Sequence, residues 1–81
     1  MSPTIFSYGA LRFYITSADL REDRRHVHVR RGEARAKFWL EPEVELFRNR
    51  GFAEHEVNMI EGIVVEYRDT MMEAWDDYFG G

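Results

Sequence analysis

Residues 26–40, HVHVRRGEARAKFWL, alternate polar and apolar side chains on both sides of one glycine, and no other stretch restricts the fold as tightly. Side chains of an extended strand point to opposite faces with a period of two, so two such runs around a glycine predict a β-hairpin. With a two-residue turn at Arg31 and Gly32, Arg30 falls opposite Glu33, Val29 opposite Ala34, His28 opposite Arg35, Val27 opposite Ala36 and His26 opposite Lys37. One face then carries Val27, Val29, Ala34, Ala36, Phe38 and Leu40, and the other His26, His28, Arg30, Glu33, Arg35, Lys37 and Trp39. The first is the expected core face, and the second is where function is sought.

The flanks extend this ribbon. Residues 1–4 form a short lead segment kept extended by Pro3, and residues 5–15 favour a strand in which Leu11, Phe13 and Ile15 alternate with Arg12 and Tyr14. Gly9 marks a bend or bulge ahead of that regular portion. Paired with the His26 strand, this segment adds Leu11, Phe13 and Ile15 to the core face and Arg12 and Tyr14 to the other. Residues 16–25, TSADLREDRR, are charged and poor in apolar side chains, which predicts an exposed connection. Pro42 lacks a backbone donor and is expected to end the third strand or keep it at an edge. Glu43–Phe47 reads as a short fourth strand or a single extended turn, and Arg48–Gly51 as a turn.

From Phe52 to Phe79 the period changes. Val57, Ile60, Val64, Tyr67, Met71, Trp75 and Tyr78 recur every three or four residues, with Met59, Ile63, Met72 and Phe79 widening the stripe, as in an amphipathic helix. Gly62 either permits close packing or divides the segment, and Gly80 and Gly81 end it. The expected architecture is α+β, a three- to four-stranded antiparallel sheet followed by a long C-terminal helix, broken or unbroken near Gly62. Such a helix is longer than the sheet needs, so Met71, Met72, Trp75 and Phe79 are the candidate contact surface for a protein partner or a second copy.

Composition sets the limits. Eighty-one residues, 44% of them hydrophobic, predict a single domain over residues 1–81 with one modest core. The chain contains no cysteine, so neither disulfides nor thiolate metal sites contribute, and no stretch approaches the roughly 20 apolar residues of a membrane span. A cytoplasmic protein without a membrane partner is expected. The net charge of −4 is unevenly spread: ten of the eleven Lys and Arg lie in residues 1–50 beside seven acids, whereas residues 51–81 hold Arg68 against eight acids. Nucleic-acid contact, if present, must therefore be local to the sheet.

Three kinds of chemistry compete for the polar face. His26 and His28 at i and i+2 share it, the geometry of a proton-transfer pair or of two metal ligands; the surrounding arginines oppose a cation, and no metal site or cofactor is expected. As catalytic residues they would make a metal-independent ribonuclease, in which one imidazole takes the 2′-hydroxyl proton and Arg30, Arg35 or Lys37 stabilises phosphate charge. As a binding surface, Arg12, Tyr14, Arg30, Arg35, Lys37 and Trp39 combine cations for phosphate with rings for bases, on RNA or DNA. The third reading is structural, with the acidic helix of one copy meeting the basic sheet of another in a homodimer that has no nucleic-acid role.

Pro3-Thr4, Tyr8-Gly9, His26-Val27-His28-Val29, Gly32, the Ala34-x-Ala36 alternation and Trp75, with the stretches HVHVRRGEARAKFWLEP, NRGF and AWDDYFGG, resemble the small bacterial DUF4160 family. The resemblance covers almost the whole chain. It implies a partnership with another small protein in toxin-antitoxin-like gene pairs and carries no catalytic residues across. The leading expectation is an interaction module of such a system, acting through the helix on a cognate small protein and through the basic sheet on nucleic acid, with the ribonuclease and the homodimer as alternatives.

Overall fold

A computed structural model describes residues 4–16 and 24–79. The lead segment before Thr4, the middle of the charged connection and the terminal glycines lie outside the described residues. Five strands, β1 (Thr4–Tyr8), β2 (Leu11–Tyr14), β3 (His26–Arg31), β4 (Ala34–Trp39) and β5 (Glu45–Arg50), precede two helices, α1 (Glu54–Glu66) and α2 (Arg68–Tyr78). The strands pair in chain order as an antiparallel meander. The α+β class is as expected, but there is one strand more than the upper expectation, and two helices stand in place of one.

The extra strand comes from Gly9. It sits at φ +60° between Tyr8 and Leu11, which face each other, so residues 5–15 fold into a tight hairpin instead of one strand. Gly32 does the same at φ +60° between β3 and β4. Arg31 opposes Ala34, so the two turn residues are Gly32 and Glu33 and not Arg31 and Gly32. A two-residue hairpin turn with left-handed backbone only at its first central position favours glycine there, whereas the expected register would have placed arginine in it. The correction slides β4 by two residues, and a slip of two leaves every side chain on its assigned face.

β5 also departs from expectation. The strand runs on through Arg48, Asn49 and Arg50, and the bend comes at Gly51, φ +100°, where a Cβ would stand 3.2 Å from the Ala34 Cα. The Asn49 amide holds that bend by donating from Nδ2 to the Phe52 carbonyl (2.9 Å) and accepting from the Phe52 N–H (3.1 Å). An outer strand exposed along its length needs no apolar alternation, which is why RNR reads locally as a turn.

The core lies between one sheet face and the helices. Leu11, Phe13, Val27, Val29, Ala36, Phe38 and Leu40 meet Phe52, Val57, Ile60, Ile63, Val64 and Met71. The helical segment bends at Tyr67 (φ −105°, ψ 19°) and not at Gly62, which lies within α1 with open space where a side chain would project. Tyr67 packs its ring 4.6 Å from that of Phe6 on β1, and the bend lets α2 follow the sheet edge. The Arg68 Nε donates to the Leu40 carbonyl (2.6 Å), while Arg25 pairs with both Glu41 (3.2 Å) and Asp76 (2.7 Å), tying α2 to the end of the central strands.

At the start of α1 the Glu56 carboxylate accepts from the Ala53 N–H (2.9 Å) and pairs with Arg31. The backbone N–H of Ala53, and then Arg31, hold this carboxyl below its usual range. A lowered folded-state value adds stability above the unfolded value and loses it as pH falls through the folded one. The acid limb of unfolding below pH 4.5 is therefore expected to flatten in Glu56→Gln, measured by urea midpoints across pH. Parallel pH profiles for the two proteins would remove that role from Glu56.

Candidate nucleic-acid interface

Helix α1 and the start of α2 cover one side of the sheet, and the last turns of α2 cap its end at His26; among the described residues the rest of the other side is open. Across that open face the register brings Arg12, Arg30, Arg35 and Arg50 into one line over four strands. The next line holds Tyr14, His28, Lys37 and Arg48. Neighbouring strands are about 4.8 Å apart, so the arginine line spans about 14 Å. Among the described residues none of Arg12, Arg30, Arg35, Arg48 and Arg50 makes an ion pair, while Arg24, Arg25, Arg31 and Arg68 each meet an acid. The basic residues thus divide into one set that holds the fold together and one set that faces solvent on the open sheet.

The rings are placed by the same register. Tyr14 and His28 stack with centroids 5.2 Å apart and planes 21° from parallel, and the Arg30 guanidinium stands 6.0 Å from the Tyr14 ring. Between Lys37 and Phe38 the pairing with β5 shifts: Lys37 opposes Arg48 and Phe38 opposes Leu46, leaving Phe47 as the extra residue of a β-bulge. The bulge turns Phe47 toward Trp39 (5.0 Å between centroids) and Lys37 (4.9 Å), beside Arg48 (5.7 Å). Trp39 itself lies between Arg24 (4.4 Å) and Lys37 (4.8 Å). Two shallow depressions of about 160 Å³ each mark the face, one lined by Tyr14, His28, Arg35, Lys37, Arg48 and Arg50 and the other by Thr4, Tyr14, Arg30 and Arg35. Each is well below the roughly 300–1,000 Å³ of sites that enclose a small molecule, so the face suits an extended ligand lying on it.

The sequence-derived site residues separate here. Arg12, Tyr14, Arg30, Arg35, Lys37 and Trp39 all lie on the open face, with Trp39 at its margin. His28 joins them, half-buried, but His26 does not: it is 0% exposed. Alternation puts His26 on the open side, yet it lies at the strand end where the last turns of α2 bring Trp75 within 4.8 Å, with Trp39 and His28 also packed edge-on against it. The Arg24 carbonyl is 2.9 Å from its Nδ1, and since a carbonyl only accepts, that nitrogen carries the hydrogen. The two imidazoles therefore do not form a solvent-facing acid–base pair. His55, the third histidine, lies on α1 on the far side of the sheet.

The apolar stripe expected to meet a partner is largely used within the chain. Met71 and Trp75 are buried, and Met72 and Phe79 are half-buried. Phe47, Arg48 and Arg50 are the members of the face that sequence reasoning misses. Alternation in EVELF already puts Phe47 opposite Val44 and Leu46, but strict alternation would turn Arg48 inward, and only the bulge keeps it on the open side. Among the described residues no three His, Asp or Glu side chains gather as a metal site, and no helix is long and apolar enough to cross a membrane.

The fold and this face define a small α+β domain with an acidic helical layer behind a basic, ring-bearing sheet. The chain belongs to the family of the domain of unknown function DUF4160, whose model matches residues 10–76, most of its length. No curated protein and no solved structure matches it.

Proposed function

We propose that the open sheet face binds the sugar-phosphate backbone of nucleic acid. The observation that carries this reading is the line of Arg12, Arg30, Arg35 and Arg50, each directly opposite the next. Like charges directly opposite on adjacent strands destabilise a sheet by a few tenths to about 1 kcal/mol per pair, so such a line works against folding unless an anion occupies it. A guanidinium matches a phosphate with two parallel hydrogen bonds, and a row of them matches a polymer of phosphates better than a single small anion. In the toxin-antitoxin-like setting that the resemblance implies, the protein is then an interaction module acting through its sheet, since much of the Met71, Met72, Trp75 and Phe79 surface is already covered by its own chain.

The test is the salt dependence of oligonucleotide binding. With four arginines on four phosphates, log K is expected to fall with log salt at a slope of about −3 to −4. Fluorescence anisotropy over a salt series reads it directly. The absence of any binding at low ionic strength would overturn the proposal.

A further inference from the structure

We infer that this face takes single-stranded nucleic acid in preference to duplex, with an unpaired base stacked on Phe47; the inference rests on the backbone-binding reading above. The first argument is one of shape. A major groove about 12 Å wide admits a helix or a two-stranded ribbon. The five-stranded sheet is about 19 Å across and does not enter. The helices are narrow enough, but their exposed surface carries Glu54, Glu66, Asp69, Glu73 and Asp77, which repel phosphate. The cationic surface therefore meets a duplex only along its outside, where bases are hidden.

The second argument is Phe47. Its ring is 50% exposed on the sheet's outer strand and contributes nothing to the core between sheet and helices. The bulge keeps the Arg48 guanidinium on the same side as this ring, so an apolar plane stands among cations. Phe47 lies three residues along β5 from Arg50, about 10 Å. A strand whose phosphates follow the arginine line therefore has its bases, projecting to one side, within reach of the Phe47 ring. Stacking of a base on an aromatic ring is tolerant of sequence, which predicts strand-state selectivity without strong base preference. In a duplex the faces of the bases are occupied by one another, and Phe47 has nothing to stack on.

The experiment compares three labelled probes of equal phosphate number with the intact protein: a single strand of roughly ten nucleotides, within the usual site size of such surfaces, the same strand in a duplex, and an abasic sugar-phosphate oligomer. The single strand is expected to bind about five- to a hundred-fold more tightly than either other probe, the range spanned by one base-ring stack. Phe47→Ala should erase that advantage while leaving the abasic affinity unchanged, and Phe47→Tyr should retain it. Equal affinity for all three probes, with Phe47→Ala matching the parent on each, would overturn the inference and leave backbone binding standing. If no probe binds at low salt, the backbone reading falls and this one with it.

Discussion

Phe38→Ala is expected to lower the free energy of unfolding by about 3–5 kcal/mol, among the largest stability effects of any single truncation in the sheet. Phe38 is fully buried in β4, opposite Val27 on one neighbouring strand and Leu46 on the other, and faces the helices. Truncation removes its transfer free energy and leaves a cavity that a sheet held by ladders on both sides cannot collapse. At roughly 0.05–0.15 kcal/mol per residue, the whole domain is stabilised by about 4–12 kcal/mol, so the loss consumes about a quarter or more of the total. Phe47→Ala, the same substitution on the open face of the outer strand, is expected to cost less than about 0.5 kcal/mol. Urea midpoints of the two variants measure the contrast. A loss at Phe38 under about 1 kcal/mol, or equal losses at both phenylalanines, would mean that the core is not on the side assigned to it.

The same contrast explains what is legible in the sequence. The faces of β2, β3 and β4 follow from alternation because one side is buried, and they do not depend on the position of the turn, since its displacement slides the register by two residues. The open-face residues of these three strands need no tertiary information beyond that period. The second half of β5 is not legible, because an exposed edge strand is under no pressure to alternate, and its bulge is a matter of pairing with β4 that no local pattern encodes. The burial of His26 is hidden for a related reason. Its strand position gives the correct side of the sheet, but its enclosure depends on Trp75, far along the chain, and on where the helical segment bends at Tyr67. A glycine is the weakest helix former within residues 54–78, yet the bend is at a tyrosine, because Gly62 meets nothing and Tyr67 meets Phe6. Helix-breaking propensity yields to a tertiary contact.

Arg35→Glu is expected to weaken nucleic-acid binding by about 100-fold while making the protein more stable, since it removes a charge-assisted hydrogen-bonding group from the ligand and a like charge from the sheet. Arg35 is flanked by Arg30 on β3 and Arg50 on β5, and all three side chains project from the open face. Reversing the middle charge converts two like-charge neighbours into two ion pairs, each worth a few tenths to about 1 kcal/mol. A net gain of ~1 kcal/mol in a domain of this size raises the melting temperature by roughly 4–8 °C. For a bound strand the same change deletes one charge-assisted interaction of about 1.5–3 kcal/mol and engages the two neighbouring arginines, so the salt slope should shrink by about 0.7 for each phosphate that is no longer neutralised. A residue that serves only the fold moves binding and stability in the same direction, because a loosened sheet binds less well. Opposite signs require that the repulsion along the line is retained for a ligand. Calorimetry and anisotropy on one preparation read both signs, and a variant that melts lower than the parent, or binds as tightly, would dissolve the arginine line as a site.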